Sequence, residues 1–426
     1  MTTNKRGLQR FYEYRDRIKG FIRRIEQSSD PDPVLLKYYS LVLENDEKTI
    51  DCVENDKPFL SSWYGNAPEI YTAMGIHHIC PVSNLLAHQA FTDDLERMDW
   101  SGIPADMCGL IKLGAYGVEA GLVPVPTAII TMLEPCDAQS AVHEAWQNSE
   151  GWQELPAFAL DPAYGDSEED YVYFSGELKR MIAFLESVFD RKMDYDKLGE
   201  VIEITNRQYE AWAEYNELRR AVPCPHASFL GSRLGRGSTQ SIASGHPGAI
   251  EIFEMLTLDA EQRVKEKKGW LDREKIRILW ADLVPTWHTS LTKFLEEECG
   301  AVVVMDFQGY APYTHIDTST VERMLIGLAR RNMAEVPMIR QARGAVDVML
   351  EDIARITQDY SCDCVIFPGH VGHKDQSASI GFLREVCRDL KVPLLMLTVD
   401  NFDPRYTPMD VVQRQIYEFF DARGLS

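Results

Sequence analysis

The chain has too few basic residues for a typical nucleic-acid-binding protein, and it has no apolar run long enough to span a membrane. Its 44 Lys and Arg residues are outnumbered by 66 Asp and Glu residues, which gives a net charge of −22 at pH 7. A surface of this sign repels phosphate backbones, so we expect no nucleic-acid partner. No run of about 18 apolar residues occurs, and the N-terminus lacks an apolar signal core, so we expect no membrane association. The chain is therefore predicted to be cytoplasmic.

Several familiar motifs are also missing. The sequence has no Cys-x-x-Cys pair, no Gly-x-Ser-x-Gly elbow and no Walker P-loop. Its nine cysteines are an odd number in a long chain without a secretory signal, so a disulfide framework is not expected. Most are predicted to be buried small apolar residues. Cys362 and Cys364 begin a predicted strand, and we expect both to have a structural role.

Strand-like and helix-like segments alternate in two separate parts of the chain. Such alternation predicts an α/β fold with two doubly wound parallel-sheet domains and helical N-terminal and connecting segments. A length of 426 residues also suggests more than one domain. We divide the chain into a helical N-terminal segment (1–55), a first α/β domain with cysteine ligands (56–150), a mostly helical connection (151–268) and a second α/β domain (269–426).

Metal-binding residue types lie where predicted strands end. Cys136 ends an apolar strand-like run, and a helix beginning there would favour its thiolate form. A second strand-like run, 364–368, opens into Gly369-His-Val-Gly-His-Lys374. In open α/β sheets, ligands bind just beyond the carboxyl ends of the strands. Together with Cys108, from the short segment 103–109, these loops could meet around one metal centre.

The residues alone leave the chemistry of this centre open. Cys108 and Cys136 are 28 residues apart, a spacing that does not identify a metal. His370 and His373 could bind a metal or act as an acid/base pair. They could equally belong to an ordinary surface loop.

Several segments, in their order along the chain, resemble the family that unites 2-hydroxyacyl-CoA dehydratases and benzoyl-CoA reductases. The matching pieces are Ala67-Pro-Glu-Ile-Tyr-Thr-Ala-Met-Gly75, the Cys108 segment, Pro135-Cys-Asp137, Ile278-Leu-Trp-Ala-Asp-Leu-Val-Pro-Thr-Trp287, the strand and loop at 364–374, and Val392-Pro-Leu-Leu-Met-Leu-Thr-Val-Asp400 with Asp403 and Arg405. They cover most of residues 56–150 and 270–426. The chain looks most like the B-type catalytic subunit of an ATP-dependent benzoyl-CoA reductase, and a radical 2-hydroxyacyl-CoA dehydratase subunit is the alternative.

The resemblance implies a [4Fe–4S] cluster held by three cysteines in each of two related subunits. Cys108 and Cys136 would be two of the ligands. The place of the third cysteine reads Gly372-His373-Lys374, which departs from the family. Either His373 replaces the thiolate, or another residue such as His370 does, or the cluster is altered. Histidine ligation would raise the reduction potential relative to thiolate.

The resemblance also implies a reaction and partners. A related catalytic subunit of the same fold would complete the enzyme, and ATP-dependent iron–sulfur subunits would deliver low-potential electrons to an acyl-CoA substrate. A reductase would convert an aromatic acyl-CoA to a cyclic diene, with His370 or His373 as a catalytic proton donor. A dehydratase would instead expel water from a radical after proton loss. The interpretations outside this family are a cluster-free scaffold subunit and a zinc hydrolase with Cys, Cys and His ligands.

Overall fold

The computed structural model describes residues 3–63, 65–87, 98, 103–104, 106–134, 137–228, 231, 234, 244–283, 285–343 and 346–425. Its strands are β1 (Phe59–Ser62), β2 (His77–Ile79), β3 (Ala128–Met132), β4 (Ala157–Leu160), β5 (Ile276–Trp280), β6 (Ala301–Asp306), β7 (Cys364–Phe367) and β8 (Leu394–Met396).

Its helices are α1 (Thr3–Glu26), α2 (Pro33–Glu54), α3 (Pro68–Ala73), α4 (Pro81–Ala87), α5 (Gly109–Glu119), α6 (Asp137–Asn148), α7 (Glu168–Phe189), α8 (Tyr195–Leu218), α9 (Gly248–Glu266), α10 (His288–Lys293), α11 (Val321–Arg330), α12 (Ile339–Ala342), α13 (Val346–Asp359), α14 (Lys374–Ala378), α15 (Ile380–Asp389) and α16 (Met409–Ala422). One π-helical turn follows α10 at Phe294–Glu298, and another follows α11 at Arg331–Glu335.

The described strands form two parallel sheets of the same topology. The strand order is β2-β1-β3-β4 in the first sheet and β6-β5-β7-β8 in the second. Every pairing within them is parallel. In each sheet the chain moves from its first strand to one edge and then crosses back to the other side, which is the doubly wound arrangement. The predicted α/β class with two parallel-sheet domains is therefore confirmed.

The residues of β3, β5 and β6 are mostly apolar, and β7 is apolar throughout. All residues of β5, β6 and β7 are buried, as are those of β1 and β3. A parallel sheet covered by helices on both faces needs apolar side chains on both sides of each strand, so its strands do not alternate with polar residues.

The sequence analysis predicts no strand between residues 151 and 268, but β4 lies there and pairs with β3. Its four residues follow Pro156 and precede Asp161, and three of them are only half-buried. A strand of four residues, three of them only half-buried, shows no clear periodicity of apolar residues in the sequence.

The middle of α5 packs closely against two aromatic rings. The indole N–H of Trp146, on α6, donates a hydrogen bond to the Gly114 carbonyl at 2.9 Å. A Cβ at Gly114 would lie 2.9 Å from the Trp63 ring, so only glycine allows this approach. The helix that follows Cys108 is thus held against the first sheet.

The cysteines of the described residues are buried and have free thiols, as the sequence predicts for most of them. Burial raises the pKa of Cys362 to about 12 and also raises that of Cys364. Both side chains are buried, and their structural role stays a prediction. No helix in the described part of the chain is long and apolar enough to cross a membrane.

Candidate metal centre

Cys108, His370 and His373, three of the four predicted site residues, gather at the topological switch point of the second sheet. β5 and β7 are neighbours, but the connections that leave them run toward opposite edges. A crevice forms beyond the carboxyl ends of two such strands, and it is the usual ligand site of this architecture. Asp282 lies two residues after β5, and His370 lies three residues after β7. Cys108 reaches the same place from the first half of the chain.

Cys108 is the residue that immediately precedes α5. Its side chain is 4% exposed and makes no capping hydrogen bond to the helix. The partial positive charge at a helix N-terminus favours a thiolate at this position. Cys108 therefore has the environment of a metal-binding or reactive cysteine.

The loop after β7 is held against the next strand by backbone contacts. His370 forms a parallel bridge with Val399, and the Val371 N–H donates to the Val399 carbonyl at 3.0 Å. Gly369 has a φ of +55°, and a Cβ there would overlap the Leu397 carbonyl oxygen. Only glycine suits that conformation and that space.

His370 is fully buried beside Cys108. Its Nε2 lies 3.0 Å from Cys108 Sγ, and the backbone N–H of Asn401 donates to its Nδ1 at 3.1 Å. Burial and the neighbouring His373 hold the pKa of His370 well below its ordinary value, so the ring is neutral. The Phe402 ring packs edge-on against it, with ring centres 5.7 Å apart.

His373 packs edge-on against His370, with ring centres 4.6 Å apart and an interplanar angle of 81°. Its Nδ1 lies 3.1 Å from Oδ1 of the buried Asp282. The same carboxylate oxygen accepts the Leu283 N–H at 2.6 Å. The side-chain amide of Gln376 forms hydrogen bonds when its nitrogen is turned toward Asp282. This nitrogen then donates to both carboxylate oxygens of Asp282, at 3.2 and 3.3 Å. A carboxylate behind an imidazole in this way is typical of histidines that bind metals.

Asp400 connects the end of the second sheet to the start of α5. One carboxylate oxygen accepts the Gly109 N–H at 3.2 Å, and the other accepts those of Phe402 and Asp403 at 2.8 and 3.1 Å. Burial raises the pKa of Asp400, while the Phe402 and Asp403 N–H groups act in the opposite direction. Asp400 therefore ties the Cys108 segment to the strand beside the histidine loop.

Within the described residues, one ligand atom each from Cys108, His370 and His373 lie within 4.8 Å of one another. Thiolate and imidazole together suit zinc or iron. Three of the four site residues selected from the sequence thus lie in one cluster. The fourth, Cys136, lies outside the described residues, between the end of β3 at Met132 and the start of α6.

Among the described residues, Asp282 and Asn401 contact the histidines of this cluster, and the sequence analysis gave neither of them a role. Asp282 follows β5 and Asn401 follows β8, so the strand-end rule that selected the histidine loop would have selected both. Their contacts with the histidines depend on three-dimensional distances, for which the sequence carries no separate signal.

Comparison with known proteins identifies the family. The sequence profile of the family described as 2-hydroxyglutaryl-CoA dehydratase, D-component, matches residues 65–422. The chain belongs to this family. The match begins after β1, and it covers the other seven described strands and every described residue of the candidate metal centre.

Two relatives within the dehydratase family are similar to the chain at low identity. The (R)-phenyllactyl-CoA dehydratase alpha subunit of Clostridium sporogenes is 22% identical over 365 residues, which cover 79% of this chain and 82% of the relative. The (R)-2-hydroxyglutaryl-CoA dehydratase subunit alpha of Acidaminococcus fermentans is 24% identical over 170 residues, 39% of this chain and 34% of the relative. Both relatives are named as dehydratase subunits, so the comparisons favour the dehydratase alternative over benzoyl-CoA reduction.

Proposed function

We propose that this chain is a subunit of a radical 2-hydroxyacyl-CoA dehydratase, which eliminates water from a 2-hydroxyacyl-CoA thioester. The observation that carries the proposal is the meeting of Cys108 with His370 and His373 at the switch point of the second sheet. The family match includes all three residues. Benzoyl-CoA reduction is the competing proposal, and it differs in both the acyl group and the reaction, because the aromatic ring is reduced and no water is eliminated.

We propose that the site holds a [4Fe–4S] cluster, with Cys108, Cys136 and His373 as its ligands. The donor types fit, because thiolates bind such clusters and imidazoles replace them in some iron–sulfur centres. The start of α5 favours the thiolate of Cys108, and Asp282 orients the ring of His373. When bound, a cluster of this kind supplies single electrons at low potential.

The surrounding residues would exclude water from this centre. Cys108 is 4% exposed, His370 is fully buried, and the Phe402 ring closes one side of His370. A dry, low-dielectric environment protects radical intermediates from side reactions. Following the resemblance, we also propose a related subunit of the same fold and an ATP-dependent iron–sulfur electron donor as partners. The name of the Clostridium relative, an alpha subunit, supports a multi-subunit enzyme.

The first experiment is iron and acid-labile sulfide analysis of anaerobically purified protein, co-expressed with its partner subunit. A cubane in this chain predicts about four of each per chain. The loaded complex is then assayed with a 2-hydroxyacyl-CoA and with benzoyl-CoA. Water elimination from the first supports the proposal, whereas ring reduction of the second selects the competing proposal. Folded protein without iron and sulfide contradicts both.

Substitutions test the proposed ligands. Cys108→Ser should lose the cluster. The control is Cys52→Ser, which removes a buried thiol of α2, and this variant should retain the cluster. His373→Ala should lose or convert the cluster. His373→Cys should retain it at a lower potential, because thiolate is the more electron-donating ligand. Full iron content in both Cys108→Ser and His373→Ala would remove these residues from the ligand set.

The close spacing of the site favours a second candidate, a single zinc ion. Ligands of one tetrahedral zinc lie roughly 3–4 Å apart, and the atoms of Cys108, His370 and His373 lie within 4.8 Å of one another. Ligands on separate irons of a cubane are farther apart. Zinc without sulfide in the purified protein would select this candidate.

A further inference from the structure

The protonation of His370 follows from its contact with Asn401. The backbone N–H of Asn401 can only donate, and it points at His370 Nδ1 from 3.1 Å. Nδ1 must therefore present its lone pair. A neutral imidazole carries one proton, so in this contact the proton of His370 lies on Nε2.

The protonated nitrogen faces the sulfur of Cys108. Nε2 of His370 lies 3.0 Å from Cys108 Sγ, and both side chains are buried. An N–H at this distance donates to the sulfur. The same nitrogen then has no lone pair for a metal, and it is also too close to the sulfur for the two atoms to bind separate irons.

The second histidine of the loop has the opposite arrangement. The carboxylate of Asp282 accepts the proton of His373 on Nδ1, across 3.1 Å. The lone pair of His373 therefore lies on Nε2. The two histidines thus carry their protons on different nitrogens. Nδ1 of His370 faces a backbone N–H, whereas Nδ1 of His373 faces a carboxylate.

We propose that His370 is a positioning residue that donates a hydrogen bond from Nε2 to the Cys108 sulfur and raises the reduction potential of a cluster bound there. The inference rests on the proposed function for its redox consequence, and on the contacts of Asn401 and Cys108 for its geometry. A hydrogen bond to a ligand sulfur stabilises the more negative, reduced state of a cluster. His370 is thereby neither a metal ligand nor the proton donor to the substrate.

Histidine tautomers can be measured directly in protein labelled with ¹⁵N at its ten histidines. The His370 signals are identified by their loss in His370→Asn. We expect a protonated Nε2 and an unprotonated Nδ1 in metal-free protein. The reverse tautomer, or a doubly protonated ring at neutral pH, overturns the inference. This measurement does not require a cluster, so it decides the protonation of His370 even where the proposed function fails.

Two substitutions separate the two contacts of the ring. In His370→Asn, the amide oxygen replaces Nδ1 and accepts the Asn401 N–H, but no atom reaches the sulfur. In His370→Gln, the amide nitrogen replaces Nε2 and still donates to Cys108. Both variants should keep the wild-type iron content. The cluster of His370→Asn should have a more negative midpoint potential, and His370→Gln should restore it toward the wild-type value.

The outcomes distinguish this inference from the proposed function. Loss of iron in both variants would make His370 a ligand and overturn the inference, as would equal potentials in His370→Asn and wild type. Absence of iron in the wild-type complex would contradict the proposed function alone, because the tautomer measurement still decides the role of His370.

Discussion

Gly372 lies directly against the backbone of Cys108. A Cβ atom at Gly372 would overlap the Cα, Cβ and N atoms of Cys108. Because these atoms are the backbone and the Cβ of Cys108, which immediately precedes α5, no side-chain rotation can relieve the overlap. The contact joins the loop after β7 to the first half of the chain, and it brings His373 and Cys108 into one site.

Gly372→Ala is therefore expected to separate the two halves of the site. Overpacking of this kind costs about 1–3 kcal/mol of stability, and the displaced loop should lose bound metal. Gly381→Ala is the control, because a Cβ at Gly381, in α15, has no atom within 4 Å. A helical Gly→Ala change should be neutral or stabilise by up to about 1 kcal/mol. Urea unfolding measures the stability of both variants, and metal analysis measures their bound metal. Equal stability and equal metal content in the two variants would contradict the predicted role of Gly372.

Asp282→Asn should weaken metal binding without unfolding the protein. The substitution keeps the shape of the side chain but removes the charge that holds the Nδ1 proton of His373. Loss of such a partner typically costs 10- to 100-fold in metal affinity, roughly. The rate of metal release to a chelator measures the effect.

The control for this change is Asp106→Asn. Asp106 is exposed and pairs with Lys374, the residue after His373, at 2.7 Å. It lies close to the site but does not contact the imidazole, so its substitution should leave the release rate unchanged. Equal release rates for Asp282→Asn and wild type would show that the carboxylate does not support a metal ligand.

The architecture was predictable because parallel strands buried on both faces are apolar runs between helices. β7 follows this rule, and the predicted strand-like run 364–368 agrees with its limits in the structure, Cys364–Phe367. β4 does not, because the strand has only four residues and three of them are only half-buried. The domain boundaries drawn from the sequence remain predictions.

The sequence predicted that Cys108, His370 and His373 lie close together, but it did not predict what each of them does. The rule that ligands bind beyond strand ends selected His370 and His373. The choice between ligand and hydrogen-bond donor depends on the contacts of each ring with Asn401 and Asp282, which come from other strands. The sequence brings none of these residues near one another, so only the three-dimensional distances separate the two histidines.

Three buried cysteines should resist alkylation in the native protein. Burial raises the pKa of Cys299 and Cys387 to about 11 and that of Cys362 to about 12. Because the thiolate is the reactive form, a pKa of 11 leaves about one thiol in 1,000 ionised at pH 8. Iodoacetamide labelling followed by peptide mass spectrometry should therefore find them unmodified, and fully modified after unfolding in urea. Rapid labelling of Cys362 in native protein would contradict its burial.

His77 should make the protein less stable as the pH falls below neutrality. Burial, together with the nearby His78 and Lys48, lowers the pKa of His77 to about 3. The Thr49 hydroxyl donates to the Asn45 carbonyl at 2.9 Å, so the Nε2–H of His77 donates to the Thr49 oxygen at 2.8 Å. The unfolded chain, with an ordinary pKa of about 6.5, takes up a proton first as the pH falls. The stabilising contribution is therefore complete above pH 6.5 and is lost progressively toward pH 3.

The expected size follows from about 1.4 kcal/mol per pH unit between the two pKa values. From pH 7.5 to pH 5, His77 should account for a loss of about 2 kcal/mol in the free energy of unfolding. In His77→Gln, the amide N–H can still donate to Thr49, but the side chain does not titrate. Urea unfolding of metal-free protein at both pH values should thus show a loss about 2 kcal/mol larger in wild type than in the variant. Parallel pH dependence of the two proteins would mean that His77 takes up its proton in the folded state as readily as in the unfolded chain.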